Sequence, residues 1–117
     1  EAIKKFLKKR TRILLSVIEN KNFFKSLYQK KNTLDPFFQN EFIAKNRQNL
    51  KTIYSPNGAI YIFYKNDFKR YKELMFLKSG FYVMNKVDSI DIDNEEDWFM
   101  AELLYSVLEK RGQIEII

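Results

Sequence analysis

Ser89-Ile90-Asp91-Ile92-Asp93-Asn94-Glu95-Glu96-Asp97-Trp98 is the stretch on which the reading of this chain turns. Residues 89–93 alternate polar and apolar side chains, the pattern of a strand end with one buried face. Side chains two apart in a strand share a face. Asp91 and Asp93 are therefore predicted to point the same way, with Ile90 and Ile92 directed into the core. Asn94 reads as a helix N-cap, with Asp97 three residues on and an apolar helical pattern behind it. Two carboxylates on one face, at the mouth of a strand-to-helix turn, suit a hard divalent cation such as Mg2+. The same residues also describe an acidic helix start, in which residues 93–97 are favoured by the helix dipole. Pattern alone favours this plainer reading.

Downstream, Trp98, Ala101, Leu104, Tyr105 and Leu108 recur at helical spacing, and Phe99, Met100, Leu103 and Val107 widen the stripe. Lys110 and Arg111 fall in the last turn, and Gly112 suits the position just past the helix end. Residues 113–117 form a short apolar tail, read as an edge strand or a frayed end. Upstream, residues 81–84 read as a strand, followed by a turn at Asn85 and Lys86. Asn66 is placed to cap a short helix through Tyr71, with Phe68 and Tyr71 facing inward, and residues 74–77 are apolar. Residues 58–64 (Gly-Ala-Ile-Tyr-Ile-Phe-Tyr) are the clearest strand, entered through a turn at residues 54–58. Gly58 and Ala59 leave room at its entry for a ligand or another backbone. Tyr61 presents a hydroxyl there or, as the pattern favours, packs in the core.

The chain opens with a helix over residues 1–10. Ala2, Ile3, Phe6 and Leu7 form its apolar face, and Lys4, Lys5, Lys8 and Lys9 lie opposite. Residues 13–18 are a continuous apolar run, the mark of a buried, parallel central strand. An excursion follows. Residues 24–28 alternate as a strand would, and Asn32, Asp35 and Pro36 mark a turn. Phe37, Phe38, Phe42 and Ile43 have no clear period and require burial, on the body of the domain or on another subunit. Residues 44–53 are polar. Arg47 carries a planar fork suited to a carboxylate or phosphate, and the Gln48 amide suits hydroxyls and amides, though a solvated loop explains both. The sum is an α/β pattern with an insertion.

Composition narrows the chemistry. At 117 residues the chain is one domain or part of one, and Glu1 in place of Met suggests a piece of something longer. With no Cys and no His, thiolate chemistry, an imidazole base and a His-based zinc site are excluded. Carboxylates, Lys, Arg, Tyr or a metal must carry any reaction. No apolar run is long enough to span a bilayer, and no signal peptide is evident. The net charge of +6 is uneven: residues 1–51 hold 13 Lys/Arg against 4 Asp/Glu, and residues 52–117 hold 8 against 11. A basic half can meet nucleic acid or phosphates, but most of its charges are Lys on a helix, not Arg beside aromatics.

Three motifs in order carry a resemblance: Arg47-Gln48, then Pro56-Asn57-Gly58-Ala59-Ile60-Tyr61, then Asp91-Ile92-Asp93 leading into a helix with Asp97 and Ala101-Glu102. Over about residues 2–104 the chain resembles the C-terminal half of the acylneuraminate cytidylyltransferases (CMP-sialic acid synthetases). That resemblance implies a nucleotide-diphospho-sugar-transferase-like, mononucleotide-binding three-layer α/β fold. It implies transfer of a cytidylyl group from CTP to a nonulosonic, sialic-type acid in the cytoplasm, with Mg2+ required and pyrophosphate leaving. Asp91 and Asp93 would be the catalytic metal carboxylates, which reverses the plainer reading of that stretch. Lys25 and Arg47 would face the sugar carboxylate, Gln48 and Tyr61 would take polar positions of the sugar site, and Asn57 would bind there or hold the turn. Residues 20–50 would be an excursion that makes a homodimer and reaches the partner's sugar site, giving Phe37, Phe38 and Phe42 their cover.

The chain also departs from the family. Ser55 stands where the family usually has Arg, which bears on which sugar acid is used; relatives acting on legionaminic or pseudaminic acid also carry Glu-Asp-Trp at the positions of Glu96, Asp97 and Trp98. The family's N-terminal nucleotide-binding half, with its glycine-rich basic loop, has no counterpart here, so this chain alone is expected to be inactive on CTP. The rival readings are a non-catalytic dimerisation module derived from that fold and, least favoured, a basic nucleic-acid-binding domain. Neither nucleic acid nor membrane is expected as a partner.

Overall fold

A computed structural model describes residues 1–74 and 78–114. In chain order the helices and strands are α1 (Ala2–Lys9), β1 (Ile13–Glu19), β2 (Leu27–Lys30), β3 (Thr33–Pro36), α2 (Asn40–Asn46), β4 (Tyr54–Phe63), α3 (Tyr71–Leu74), β5 (Gly80–Val83) and α4 (Glu95–Lys110). They fall into two compact units, Glu1–Ile18 with Pro56–Ile117, and Glu19–Ser55.

The first unit is built on β1, the middle strand of a sheet ordered β4-β1-β5. β1 runs parallel to β5, with Leu14 opposite Gly80 and Val17 opposite Val83. Both faces of β1 are covered, which is why its sequence is a continuous apolar run rather than an alternation. Ile13, Leu15 and Val17 pack with Leu74 and Phe63 on one face. Leu14 packs with Ala2 and Phe6 of α1, and with Ile60, Ile62 and Tyr82, on the other. Each such side chain contributes roughly 1.5–3 kcal/mol by leaving water. The predicted helix, buried parallel strand and mixed α/β character are therefore present.

The alternation also decides what α1 can bury. Ala2 and Phe6 reach the sheet, whereas Ile3 and Leu7, predicted for the same face, are exposed. The Lys5 ammonium lies over the Phe81 ring, 4.7 Å from its centre. A second tie joins the short 3-10 helix Lys65–Arg70 to the start of β1. The carboxylate of Asp67, only 4% exposed, accepts from Arg12 Nε at 3.2 Å and from Arg12 Nη2. Phe68, predicted to face inward, is exposed, and it is Asp67 that turns in.

Three expectations for this unit are corrected. Residues 89–93 are not a strand end: Val87–Ser89 is a 3-10 turn and the chain runs from it to α4 outside any sheet. Side chains win over the ladder here. Asn85 Oδ1 accepts from the Asp88 N–H at 2.8 Å, and Ser89 Oγ donates to the Asn85 carbonyl at 2.6 Å. In consequence Ile90 and Ile92 are 41% and 47% exposed instead of buried. Second, residues 54–58 are not a turn but the first half of β4, with Gly58 at φ +74 inside it. Third, α4 buries no residue: Trp98, Phe99, Met100, Leu103, Tyr105 and Val107 are all exposed. Ala101, Leu104 and Leu108 are half-buried and line a groove with Val87, Ile90 and Ile92. The ends of α4 are as predicted. Asn94 and Asp97 form a reciprocal capping box. Gly112 at φ +64 closes the C-terminus, its N–H donating to the Glu109 carbonyl and the Gln113 N–H to that of Leu108. Within the predicted apolar stretch 74–77 only Leu74 is described, and it is buried; residues 75–77 and 115–117, the latter including most of the predicted tail, lie outside the described residues.

The second unit holds a hairpin of β2 and β3, pairing Leu27 with Pro36 and Lys30 with Thr33. The turn is Lys31-Asn32, with Lys31 at φ 55, so Asp35 and Pro36 are strand residues and not the turn. The strand predicted over 24–28 begins only at Leu27, because Phe23–Lys25 is a 3-10 turn closed by Ser26 Oγ on the Phe23 carbonyl. Phe38 gathers the aromatics: its ring centre lies 5.3 Å from Phe23, 5.1 Å from Phe24, 5.1 Å from Phe37 and 6.2 Å from Phe42. Residues 40–46, without a clear period in sequence, form α2 beside this cluster.

Candidate functional site

β4 runs unbroken through Pro56-Asn57-Gly58. Pro56 has no N–H, and a left-handed φ of +74 at Gly58 is open to glycine at little cost. A Cβ built on Gly58 meets nothing within 4 Å, so its role is backbone conformation and not close packing. Two backbone donors just past Gly58 are met by side chains. The Ala59 N–H donates to Asn57 Oδ1 at 3.3 Å, and the Ile60 N–H donates to Ser16 Oγ at 2.7 Å. The Ser16 hydroxyl, 1% exposed, donates to Asn57 Oδ1 at 2.5 Å. The other end of the Asn57 amide donates to Ser89 Oγ at 3.0 Å and faces Met84 Sδ at 3.3 Å. Asn57 thus joins β4, β1 and the turn that leads into the acidic stretch, and its amide is engaged on both sides by the protein.

Ser89 is followed by Ile90-Asp91-Ile92-Asp93. Asp91 and Asp93 are exposed, and among the described residues neither carboxylate has a hydrogen-bond or ion-pair partner. Asp97, by contrast, is committed to the helix start: its Oδ2 accepts from the N–H groups of Asp93 at 3.0 Å and Asn94 at 3.2 Å. Among the described residues no three acidic side chains gather into a metal cage. With residues 89–93 outside the sheet, strand alternation does not set Asp91 and Asp93 on one face; as exposed carboxylates they offer the hard oxygens that Mg2+ takes alongside waters and phosphates.

Tyr61 lies on β4 with its ring partly exposed, lining a hollow of about 510 Å³ with Phe63, Phe68 and Tyr71. Lys25, Arg47 and Gln48 belong to the second unit. Lys25 ends the 3-10 turn, Arg47 caps the C-terminus of α2, Gln48 follows it, and all three are exposed. The described structure therefore brings Asn57 to the head of the Asp91–Asp93 stretch; Tyr61 lies on the same unit, while Lys25, Arg47 and Gln48 belong to the other. Sequence reasoning missed Ser16 and Ser89. The signal was present for Ser16, as the one polar residue in the apolar run 13–18. Among the described residues no helix is long and apolar enough to cross a membrane.

No protein-family profile matches the chain. Over 72 residues it is 33% identical to proteins named N-acylneuraminate cytidylyltransferase from Streptococcus agalactiae serotypes III, Ia and V. The matched region covers 58% of this chain and 17% of each of those proteins. The chain thus spans under a fifth of the length of the curated relatives it matches.

Proposed function

We propose that this chain is part of a nucleotidyltransferase that activates a nonulosonic, sialic-type acid with CTP, yielding the CMP-sugar and pyrophosphate. The 33% identity to proteins named N-acylneuraminate cytidylyltransferase carries the reading. The unpartnered carboxylates of Asp91 and Asp93, following the Asn57–Ser89 tie, agree with it.

In the proposed reaction the sugar's anomeric hydroxyl oxygen attacks the α-phosphorus of CTP. A new O–P bond forms, the bond to the bridging oxygen breaks, and the hydroxyl proton passes to solvent water as pyrophosphate departs. Asp91 and Asp93 would hold Mg2+, which when bound supplies charge neutralisation at the phosphates and acidifies the attacking hydroxyl. Arg47 and Lys25 would oppose the sugar carboxylate, for which a guanidinium gives a bidentate match. Gln48 and Tyr61 would meet hydroxyl and amide groups. A homodimer, with residues 20–50 reaching the neighbouring subunit, would bring the basic unit to the acid pair. Ser55, lacking a cation, would set which sugar acid fits. The setting would be the cytoplasm, where CTP is found, with neither nucleic acid nor membrane engaged.

Pyrophosphate release from CTP, Mg2+ and N-acetylneuraminate tests the reading on a longer protein that carries this chain, with the chain alone, expected to be inactive, as the control. Mg2+-dependent release that falls at least about 100-fold in Asp91→Ala and in Asp93→Ala is the expected result, the scale of losing a charge-stabilising group. Undiminished release in both variants would remove the acid pair from the chemistry. Absence of release with N-acetylneuraminate and with other nonulosonic acids would leave a dimerisation module in its place.

A further inference from the structure

The stretch bearing Asp91 and Asp93 has little to hold it. It lies outside the sheet, and Ile90 and Ile92, half exposed, line the groove beside α4 and belong to neither core cluster of the sheet. Among the described residues, one hydrogen bond ties residues 85–93 to a strand of the sheet, that from Asn57 Nδ2 to Ser89 Oγ. Everything else there is local: Asn85 with Asp88 and Ser89, and Asp97 with Asp93 and Asn94.

Asn57 is well placed to be an anchor. Its Oδ1 is committed to the Ser16 hydroxyl and the Ala59 N–H, so the amide cannot turn over without orphaning a donor. That commitment aims Nδ2 at Ser89. Ser16 is fixed in turn by the Ile60 N–H. The β4 backbone therefore sets an orientation that is passed through two side chains to the turn at Ser89. We propose that Ser16, Asn57 and Ser89 form a latch that holds the Asp91–Asp93 stretch in place against the sheet, with Asn57 and Ser89 acting as positioning residues. The proposal rests on the reading of Asp91 and Asp93 as the metal carboxylates, and its test separates the two.

Amide hydrogen exchange on this chain, wild type against Ser89→Ala, reads the latch without turnover. Loss of the bond from Asn57 together with the local bond to the Asn85 carbonyl is expected to speed exchange at the Asp88, Ser89 and Asp93 amides at least about five-fold through local opening, with β1 amides unchanged as an internal control. Ser89→Thr keeps the hydroxyl and is expected to restore wild-type rates. Titration with Mn2+ alone, followed by water-proton relaxation, supplies the second readout, with Asp91→Asn as the reference. Weakened Mn2+ binding in Ser89→Ala, alongside loss in Asp91→Asn, supports latch and acid pair together. Unchanged exchange in Ser89→Ala overturns the latch. Faster exchange with Mn2+ binding lost in Asp91→Asn but intact in Ser89→Ala overturns its positioning role. Faster exchange with Mn2+ binding equal in wild type and Asp91→Asn leaves the latch standing and removes the metal from Asp91.

Discussion

Asp67 shows what a single buried charge demands. Its carboxylate is almost fully enclosed, while the Arg12 side chain that satisfies it stays largely in solvent. Such a pair adds little over an apolar substitute, but removing one member strands the other. Arg12→Ala is expected to lower unfolding stability by about 2 kcal/mol, read as a fall in the urea midpoint at constant slope. A second local constraint joins Gly80 and Thr11. A Cβ on Gly80 would stand 2.6 Å from Thr11 Oγ1, a buried hydroxyl with no partner among the described residues. Gly80→Ala is therefore expected to cost about 1–3 kcal/mol in thermal or chemical unfolding. Most of that should return in the double variant with Thr11→Ala, giving a coupling energy that a mutant cycle measures. Neither pair could be read from sequence, because Arg12 and Asp67 lie 55 residues apart and no local pattern links them.

At the scale of elements, what was legible was whatever repeats locally. The ends of α4 are examples: Asn94 with Asp97, and Gly112, are local chemistry and formed as the spacing predicted. Asn94→Ala is expected to cost about 1 kcal/mol and to fray the first turn, seen as faster exchange at the Asp97 amide. Short elements were misread where two local preferences compete. Residues 89–93 alternate like a strand, but the Asn85 side chain and the Asn57 tie use the turn instead. Residues 54–58 carry every sign of a turn, yet they belong to β4, where Ser16, 41 residues from Asn57, bonds the Asn57 amide and the Ile60 N–H. Asp91 and Asp93 stand out in the sequence; the bonds among Ser16, Asn57 and Ser89 do not, since they join residues 41 and 32 positions apart.

At the scale of the whole molecule, the apolar surface of α4 is the largest mismatch between composition and burial. A stripe this wide predicts a core helix, but only its Ala101, Leu104 and Leu108 side is sheltered. Leu103→Lys should therefore change unfolding stability by less than about 0.5 kcal/mol, as an exposed substitution does. It should also reduce concentration-dependent association in sedimentation or size exclusion, since exposed apolar patches drive it. A loss of stability near that of a core leucine, about 2–5 kcal/mol, would show that the face is covered.

Sequence by itself determined the buried parallel strand β1, the basic amphipathic α1, the capped α4 and the acidic pair that leads into it. Each depends on residues within a few positions of one another, where periodicity and capping chemistry act. Tertiary structure alone decided which side of each helix is buried, that Asp67 rather than Phe68 turns inward, and that Asn57 links two strands to the acidic stretch. Those outcomes follow from unpaired polar groups finding distant partners. A buried donor must be satisfied, and only the folded chain fixes which acceptor is within reach.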